Sequence, residues 1–135
     1  MNAYRDASVD LAPKRLYPAL LWGGIVRCLV LAGRARDRRD IPERHNMLMR
    51  AQQIVSALDR AIRDDLIPTW AKELHTVHAR MLYLLVQANV RNSAEFLAEA
   101  KGLAMQMEDL WRQAAAKAGD VFGEEGAALR EEAEA

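Results

Sequence analysis

Residues 16–32, LYPALLWGGIVRCLVLA, contain one charged side chain, Arg27. On a helix their apolar side chains point in every direction, and such a helix must be covered on all sides. Three neighbouring helices would cover only part of it, so the rest needs an N-terminal flap, a second subunit or a client polypeptide. Although the stretch approaches the length of a membrane span, Pro18, Gly23, Gly24 and Arg27 oppose insertion, and we expect none.

Length and composition indicate one soluble domain. The chain has 135 residues and 51% hydrophobic content, which is sufficient for a core without disulfides. With 19 basic and 19 acidic residues its net charge is zero, so we expect no nucleic-acid partner. The single Cys28 suits a reducing compartment, and the charged residues at the start, such as Arg5 and Asp6, do not match a secretory signal. We therefore expect a cytoplasmic protein.

Helix signals divide the chain into four segments. The first helix is predicted over about 13–35, and the second follows the capping signature of Asp40 and Glu43 and runs to about residue 64. The third follows Pro68 and ends near residue 90, and the fourth runs from Asn92 or Ser93 to Gly119. Short links place sequential neighbours antiparallel, so residues 13–118 predict an all-α fold, an antiparallel up-down four-helix bundle. We expect residues 1–12 to be a flexible segment and residues 119–135 a disordered acidic tail.

Apolar residues at helical spacing predict the core. They are Leu48, Ala51, Val55, Leu58 and Ile62 on the second helix, Trp70, Leu74, Val77, Met81, Leu84 and Ala88 on the third, and Phe96, Ala100, Leu103, Met107, Leu110, Trp111 and Ala114 on the fourth. The third helix also carries a second apolar face, formed by Ala79, Tyr83, Val86 and Val90. It therefore has more apolar surface than one core can use.

Residues with catalytic or ligand chemistry are few. His75 and His78 lie three residues apart, where two side chains could share a ligand, but a structural zinc site would want thiolates and only Cys28 exists. The chain has no repeated Glu-x-x-His motif, nucleophile elbow or glycine-rich phosphate loop. We therefore expect no metal, no cofactor and no catalysis, and the histidines should lie in solvent or at the bundle edge. A small helical enzyme with convergent arginines is the alternative that an entirely apolar core would exclude.

Three stretches resemble the flagellin export chaperones of the FliS family. Residues 46–58, NMLMRAQQIVSAL, are similar to that family's second helix, and Trp111 matches a tryptophan late in its fourth. In the third helix the similar residues are Met81, Leu82, Leu85, Ala88, Asn89 and Val90. The resemblance covers roughly residues 3–115 in the same order. The chain departs from the family pattern at Leu21-Trp22-Gly23, where Tyr-Asp-Gly is usual, and at His78, where a tyrosine is often found.

The resemblance implies a cytoplasmic chaperone that binds the disordered C-terminal region of flagellin. Such a protein prevents premature polymerisation and escorts flagellin to the type III export gate, as a monomer or weak homodimer. An amphipathic client helix would lie on the surplus apolar surface, which residues 1–12 would cover in the free protein. The residues we expect to contact the client are Leu20, Ile25, Met47, Ile54, Tyr83, Val86 and Val90. The alternative is a structural homo-oligomer or adaptor without a flagellin client, in which the surplus faces pair with each other.

Overall fold

The computed structural model describes residues 14–65 and 68–134, with side chains through Lys117. A short 3-10 turn, Lys14–Leu16, leads into α1 (Tyr17–Asp37), which is followed by α2 (Ile41–Arg60), α3 (Pro68–Val90) and α4 (Ala94–Glu134). No strand occurs within the described ranges, and the predicted all-α class is confirmed. The segment predicted to be flexible, residues 1–12, lies outside the described residues.

Two tight connections use the same backbone geometry. After α1, Arg39 has a positive φ of 61°, and the N–H of Asp40 donates to the carbonyl of Ala35 at 2.8 Å. After α3, Asn92 has a φ of 47°, and the N–H of Ser93 donates to the carbonyl of Ala88 at 3.2 Å. A left-handed residue followed by this long-range bond is the Schellman motif, which ends a helix and satisfies its last carbonyls.

The next helix begins immediately after each of these turns. The side chain of Asp40 accepts the N–H of Glu43 at 3.1 Å, and Ser93 Oγ accepts the N–H of Phe96 at 3.1 Å. Each bond satisfies a backbone donor in a first turn that has no partner within the helix. The predicted N-cap at Asp40 is thus confirmed, and of the two candidates for the fourth helix, Asn92 and Ser93, the cap is Ser93. These caps let each helix begin directly after the turn.

The four helices pack as a ring. α1 packs against α2 and α4, and α3 packs against the same two helices. Near one end of the bundle, Arg36 Nε donates to the carbonyl of Asn92 at 3.3 Å, and Asn89 Nδ2 lies 2.9 Å from His45 Nδ1. The ends of α1 and α3 and the start of α2 therefore lie together, which is compatible with the predicted up-down order.

Helix α1 contributes more buried apolar side chains to the core than any other helix of the described bundle. The 3-10 turn and α1 together, Lys14–Asp37, contain an 18-residue window with a mean hydropathy of 1.6, which is long and apolar enough to cross a membrane, but a core helix such as α1 has the same properties. Here it supplies Trp22, Ile25 and Leu29, all fully buried. The largest fully buried side chains that meet them from α2 and α3 are Leu48, Val55, Met81, Leu84 and Leu85. Close packing of these side chains provides the main stabilisation of the bundle.

Two predicted core residues and one predicted helix end are wrong. Trp70 is 60% exposed and Leu110 is 53% exposed, because both border an open pocket between α3 and α4. α4 continues beyond Gly119 to Glu134. The alanines and glutamates there are strong helix formers, which offset a glycine cost of about 1 kcal/mol each. The side chains of residues 118–134 are not described, so the predicted division of the chain at residue 118 stays a prediction.

Candidate functional site

The outer face of α3 exposes three of the predicted contact residues. Tyr83, Val86 and Val90 are all exposed, and Val90 is 77% exposed. Leu20 is exposed on α1. The structure therefore places these four side chains where another molecule can reach them, and it brings three of them together on one helix.

The other three predicted contact residues lie deeper. Ile25 is fully buried in the core, so no client reaches it while the bundle is closed, and we leave it out of the surface proposed below. Met47 and Ile54 are half-buried and pack against the core from α2. The apolar period of a helix identifies such residues but does not show which of them a neighbouring helix covers.

A pocket of about 290 Å³ opens between the first half of α3 and the middle of α4. Glu73 is its one charged lining residue. The apolar lining residues are Trp70, Leu74, Val77, Met107, Leu110, Trp111 and Ala114. The sequence pattern placed all seven in the core. Four of these residues are large and lie near one end of two adjacent helices: Trp70, Leu74, Leu110 and Trp111. Their bulk was the sign in the sequence that α3 and α4 could not pack closely there.

The seam between α3 and α4 carries a second apolar region further along. The Tyr83 ring meets the Phe96 ring edge-on, with centroids 6.2 Å apart. Arg80 lies over Tyr83 at 5.4 Å and bonds Glu99 across the seam at 2.7 Å. Trp70 and Val90 are about 30 Å apart along α3, from the rise per residue. We use the name α3–α4 face for five exposed apolar residues of these two helices, Trp70 and Leu110 at the pocket and Tyr83, Val86 and Val90 on the outer face of α3.

A second cavity, of about 270 Å³, lies at the same end of the bundle as the pocket. Leu74 and Trp111 line both spaces, so the pocket and the cavity adjoin at these side chains. Trp22 also lines the cavity, and its Nε1 is buried with no hydrogen-bond partner among the described residues. Leaving a buried donor unpaired costs about 1–3 kcal/mol. This end of the core therefore contains more empty space than the middle, together with an unpaired hydrogen-bond donor.

Asp59 connects the two histidines of α3. Its Oδ1 accepts from Nδ1 of His75 at 2.6 Å and from Nδ1 of His78 at 2.8 Å, while Nε2 of His75 donates to Asp64 at 2.8 Å. The hydrogen bonds to Asp59 and Asp64 raise the pKa of His75 above its usual value. Burial alone would raise the pKa of Asp59, but the two histidines hold it below its usual value. His75 lies at the bundle edge as predicted, whereas His78 is buried against the Trp22 ring.

These features define a class of protein. Several exposed apolar side chains lie on α3 and α4, and between these two helices opens a pocket whose single charged lining residue is Glu73. Apolar grooves between helices are typical of proteins that hold an amphipathic segment of another polypeptide. The fold and the surface thus indicate a small helical-bundle protein that binds other polypeptides.

Comparisons with known proteins identify the family. The family model described as "Flagellar protein FliS" matches residues 1–118, and the chain therefore belongs to the FliS family. The chain is 28% identical to the flagellar secretion chaperone FliS of Bacillus subtilis over 113 residues, which cover 84% of each chain. It is 29% identical to the flagellar secretion chaperone FliSB of Pseudomonas aeruginosa over 116 residues, 82% of this chain and 91% of that one.

A third relative is the flagellar secretion chaperone FliS of Salmonella typhimurium, 27% identical over 123 residues, 87% of this chain and 91% of the relative. The family and these names assign the chain to the flagellar secretion chaperones, as the resemblance predicted.

Proposed function

We propose that this chain binds the C-terminal segment of flagellin along the α3–α4 face. In the cytoplasm it keeps flagellin from polymerising early and delivers it to the flagellar type III export gate. Its activity is binding, without a chemical step. The observation that supports this proposal most is the apolar α3–α4 face itself, on a bundle that belongs to a family of secretion chaperones.

The dimensions of the face suit an amphipathic helix. A helix of about 20 residues is about 30 Å long, the separation of Trp70 and Val90 along α3. Its apolar side chains recur every three or four residues, so those near one end would enter the 290 Å³ pocket and those further along would cover Tyr83. A disordered client segment loses conformational freedom when it binds, at a cost of about 2–5 kcal/mol. A long contact surface is needed to offset that cost.

One polar contact crosses the proposed path. Arg80 and Glu99 bond across the seam between the pocket and Tyr83, and both side chains are about half exposed. Exposed ion pairs contribute about 0–1 kcal/mol, so a client can displace this pair with little loss. The same two groups can then pair with charges on the client, which would help to set its register.

The function is tested by a polymerisation assay. Full-length flagellin is seeded with filament fragments, with or without an equimolar amount of the chain, and polymer is measured by sedimentation. We expect the chain to hold flagellin in the supernatant as a one-to-one complex by light scattering. Flagellin that lacks its C-terminal segment should form no complex. A folded chain that does not bind full-length flagellin, or that forms a dimer indifferent to it, would contradict the proposal.

A further inference from the structure

Asp59, His75 and His78 form a cluster that the proposed client binding does not use. The three side chains offer Oδ1 and two Nδ1 atoms, and these ligand-type atoms all lie within 4.8 Å of one another. We propose that this cluster binds a divalent transition-metal ion, with Zn²⁺ the best match. The ion would join the last turn of α2 to the first half of α3.

The donor atoms select the class of metal. Imidazole nitrogen and carboxylate oxygen together suit Zn²⁺ and its neighbours among the first-row metals. Mg²⁺ and Ca²⁺ instead prefer about six or more oxygen ligands, which two histidines cannot supply. Zinc sites that keep an open position have three protein ligands and one water in a tetrahedral arrangement. Asp59 and His75 are each more than one-third exposed, so water can reach the fourth position.

The two helices hold the three ligand atoms where they could bind the same ion. His75 and His78 lie one turn apart on α3 and face the same side, towards Asp59 on α2. Zn–N and Zn–O bonds of about 2.0–2.1 Å put tetrahedral ligand atoms about 3.4 Å apart. The present separations of 2.6 and 2.8 Å must therefore widen by about 0.6–0.8 Å. The partly exposed side chains of Asp59 and His75 can make this shift, while packing against Trp22 holds the His78 ring.

A second carboxylate supports the same interpretation. Asp64 Oδ1 lies 2.8 Å from Nε2 of His75, on the ring edge away from Asp59. Histidines that bind a metal usually donate their other N–H to a carboxylate or carbonyl, which orients the ring and makes the ligand nitrogen more basic. Asp64 is placed to do this for His75. Together, the charges of Asp59 and Asp64 balance that of a divalent cation.

The direct test uses the full chain without an affinity tag, stripped of metal with a chelator and dialysed. Zn²⁺ is titrated by calorimetry and Co²⁺ by visible absorption, with Mg²⁺ as the control ion. We expect one Zn²⁺ per chain, the absorption bands of tetrahedral Co²⁺, and no heat with Mg²⁺. Free Zn²⁺ at 100 times its dissociation constant should raise the apparent folding equilibrium constant about 100-fold, as measured by urea unfolding.

Variants locate the site. Asp59→Asn and His75→Gln change partly exposed side chains and should each remove the Co²⁺ bands while circular dichroism stays helical. Asp64→Asn should still bind one ion per chain, but with an affinity about 10- to 100-fold lower. The matched control is His45→Gln, since His45 lies at the other end of α2 beside Asn89, and it should bind like the wild type. Absence of Co²⁺ bands in the folded wild type, or wild-type affinity in Asp59→Asn or His75→Gln, would overturn the proposal.

Discussion

Replacing Trp70 by alanine tests the α3–α4 face at its most exposed aromatic residue. Trp70 is 60% exposed in the free chain, so this fraction of the ring is available to a client. An aromatic side chain buries about 150–250 Å² in all, and the available part is therefore about 90–150 Å². At about 25 cal/mol per Å², covering it contributes about 2–4 kcal/mol.

Fixing the side chain on binding costs about 0.5–1.5 kcal/mol. A net loss of about 1–3 kcal/mol then remains for Trp70→Ala, which corresponds to a Kd roughly 5- to 150-fold higher. The fold should survive the substitution. The buried part of Trp70 contributes about 1.5–2.5 kcal/mol on the same scale, against a typical domain stability of about 5–15 kcal/mol.

The assay is calorimetric titration of Trp70→Ala with the C-terminal segment of flagellin, alongside urea unfolding of the same sample. Ile41→Ala is the matched control, because Ile41 is 62% exposed but lies in the first turn of α2, at the opposite end of the bundle from Trp70. Ile41→Ala should bind like the wild type. Wild-type affinity in a folded Trp70→Ala variant, or equal weakening in both variants, would refute the assignment of the face.

Three further variants, one of them a double substitution, test the outer face of α3, the core and the start of α2. Tyr83→Asp combined with Val86→Asp should leave a helical monomer by circular dichroism but weaken capture of the flagellin segment, and unchanged capture would exclude the outer face of α3. Trp22→Ala should lower the free energy of unfolding by about 3–5 kcal/mol in urea, because Trp22 is fully buried, and a loss below about 1 kcal/mol would contradict its place in the core. Asp40→Ala should lower it by about 0.5–2 kcal/mol by removing the N-cap of α2, and an unchanged urea midpoint would show that the cap contributes nothing.

Sequence patterns predicted the middle of the bundle well. Leu48, Ala51, Val55 and Leu58 are all buried on α2, and Asp40 caps that helix as predicted. A helical period gives the direction of each side chain, and in the middle of a bundle every inward direction meets another helix. Local capping rules are equally direct, because the donor and acceptor lie within four residues.

The ends of the helices were harder to predict. Trp70 and Leu110 have the period of core residues, but whether an inward side chain is covered depends on how far its neighbours extend and how closely they approach. The helical period of a sequence gives no information on how closely neighbouring helices approach. The same limit applies to the pocket between α3 and α4, which exists because the helices do not close there.

The Asp59 cluster could not be predicted either. Spacing alone placed His75 and His78 on one side of a helix, but their shared partner lies sixteen and nineteen residues away on another helix. That contact depends on how α2 and α3 are rotated relative to each other. A rotation of either helix by one residue would have paired the histidines with a different side chain.

The central claim is that this chaperone binds the C-terminal segment of flagellin. The most direct measurement is calorimetric titration of the wild-type chain with that segment, taken from the same genome and repeated at several temperatures. We predict one-to-one binding with a large negative heat-capacity change, since the apolar α3–α4 face is removed from water. A folded, monomeric chain that gives no binding heat at any of these temperatures would contradict the claim.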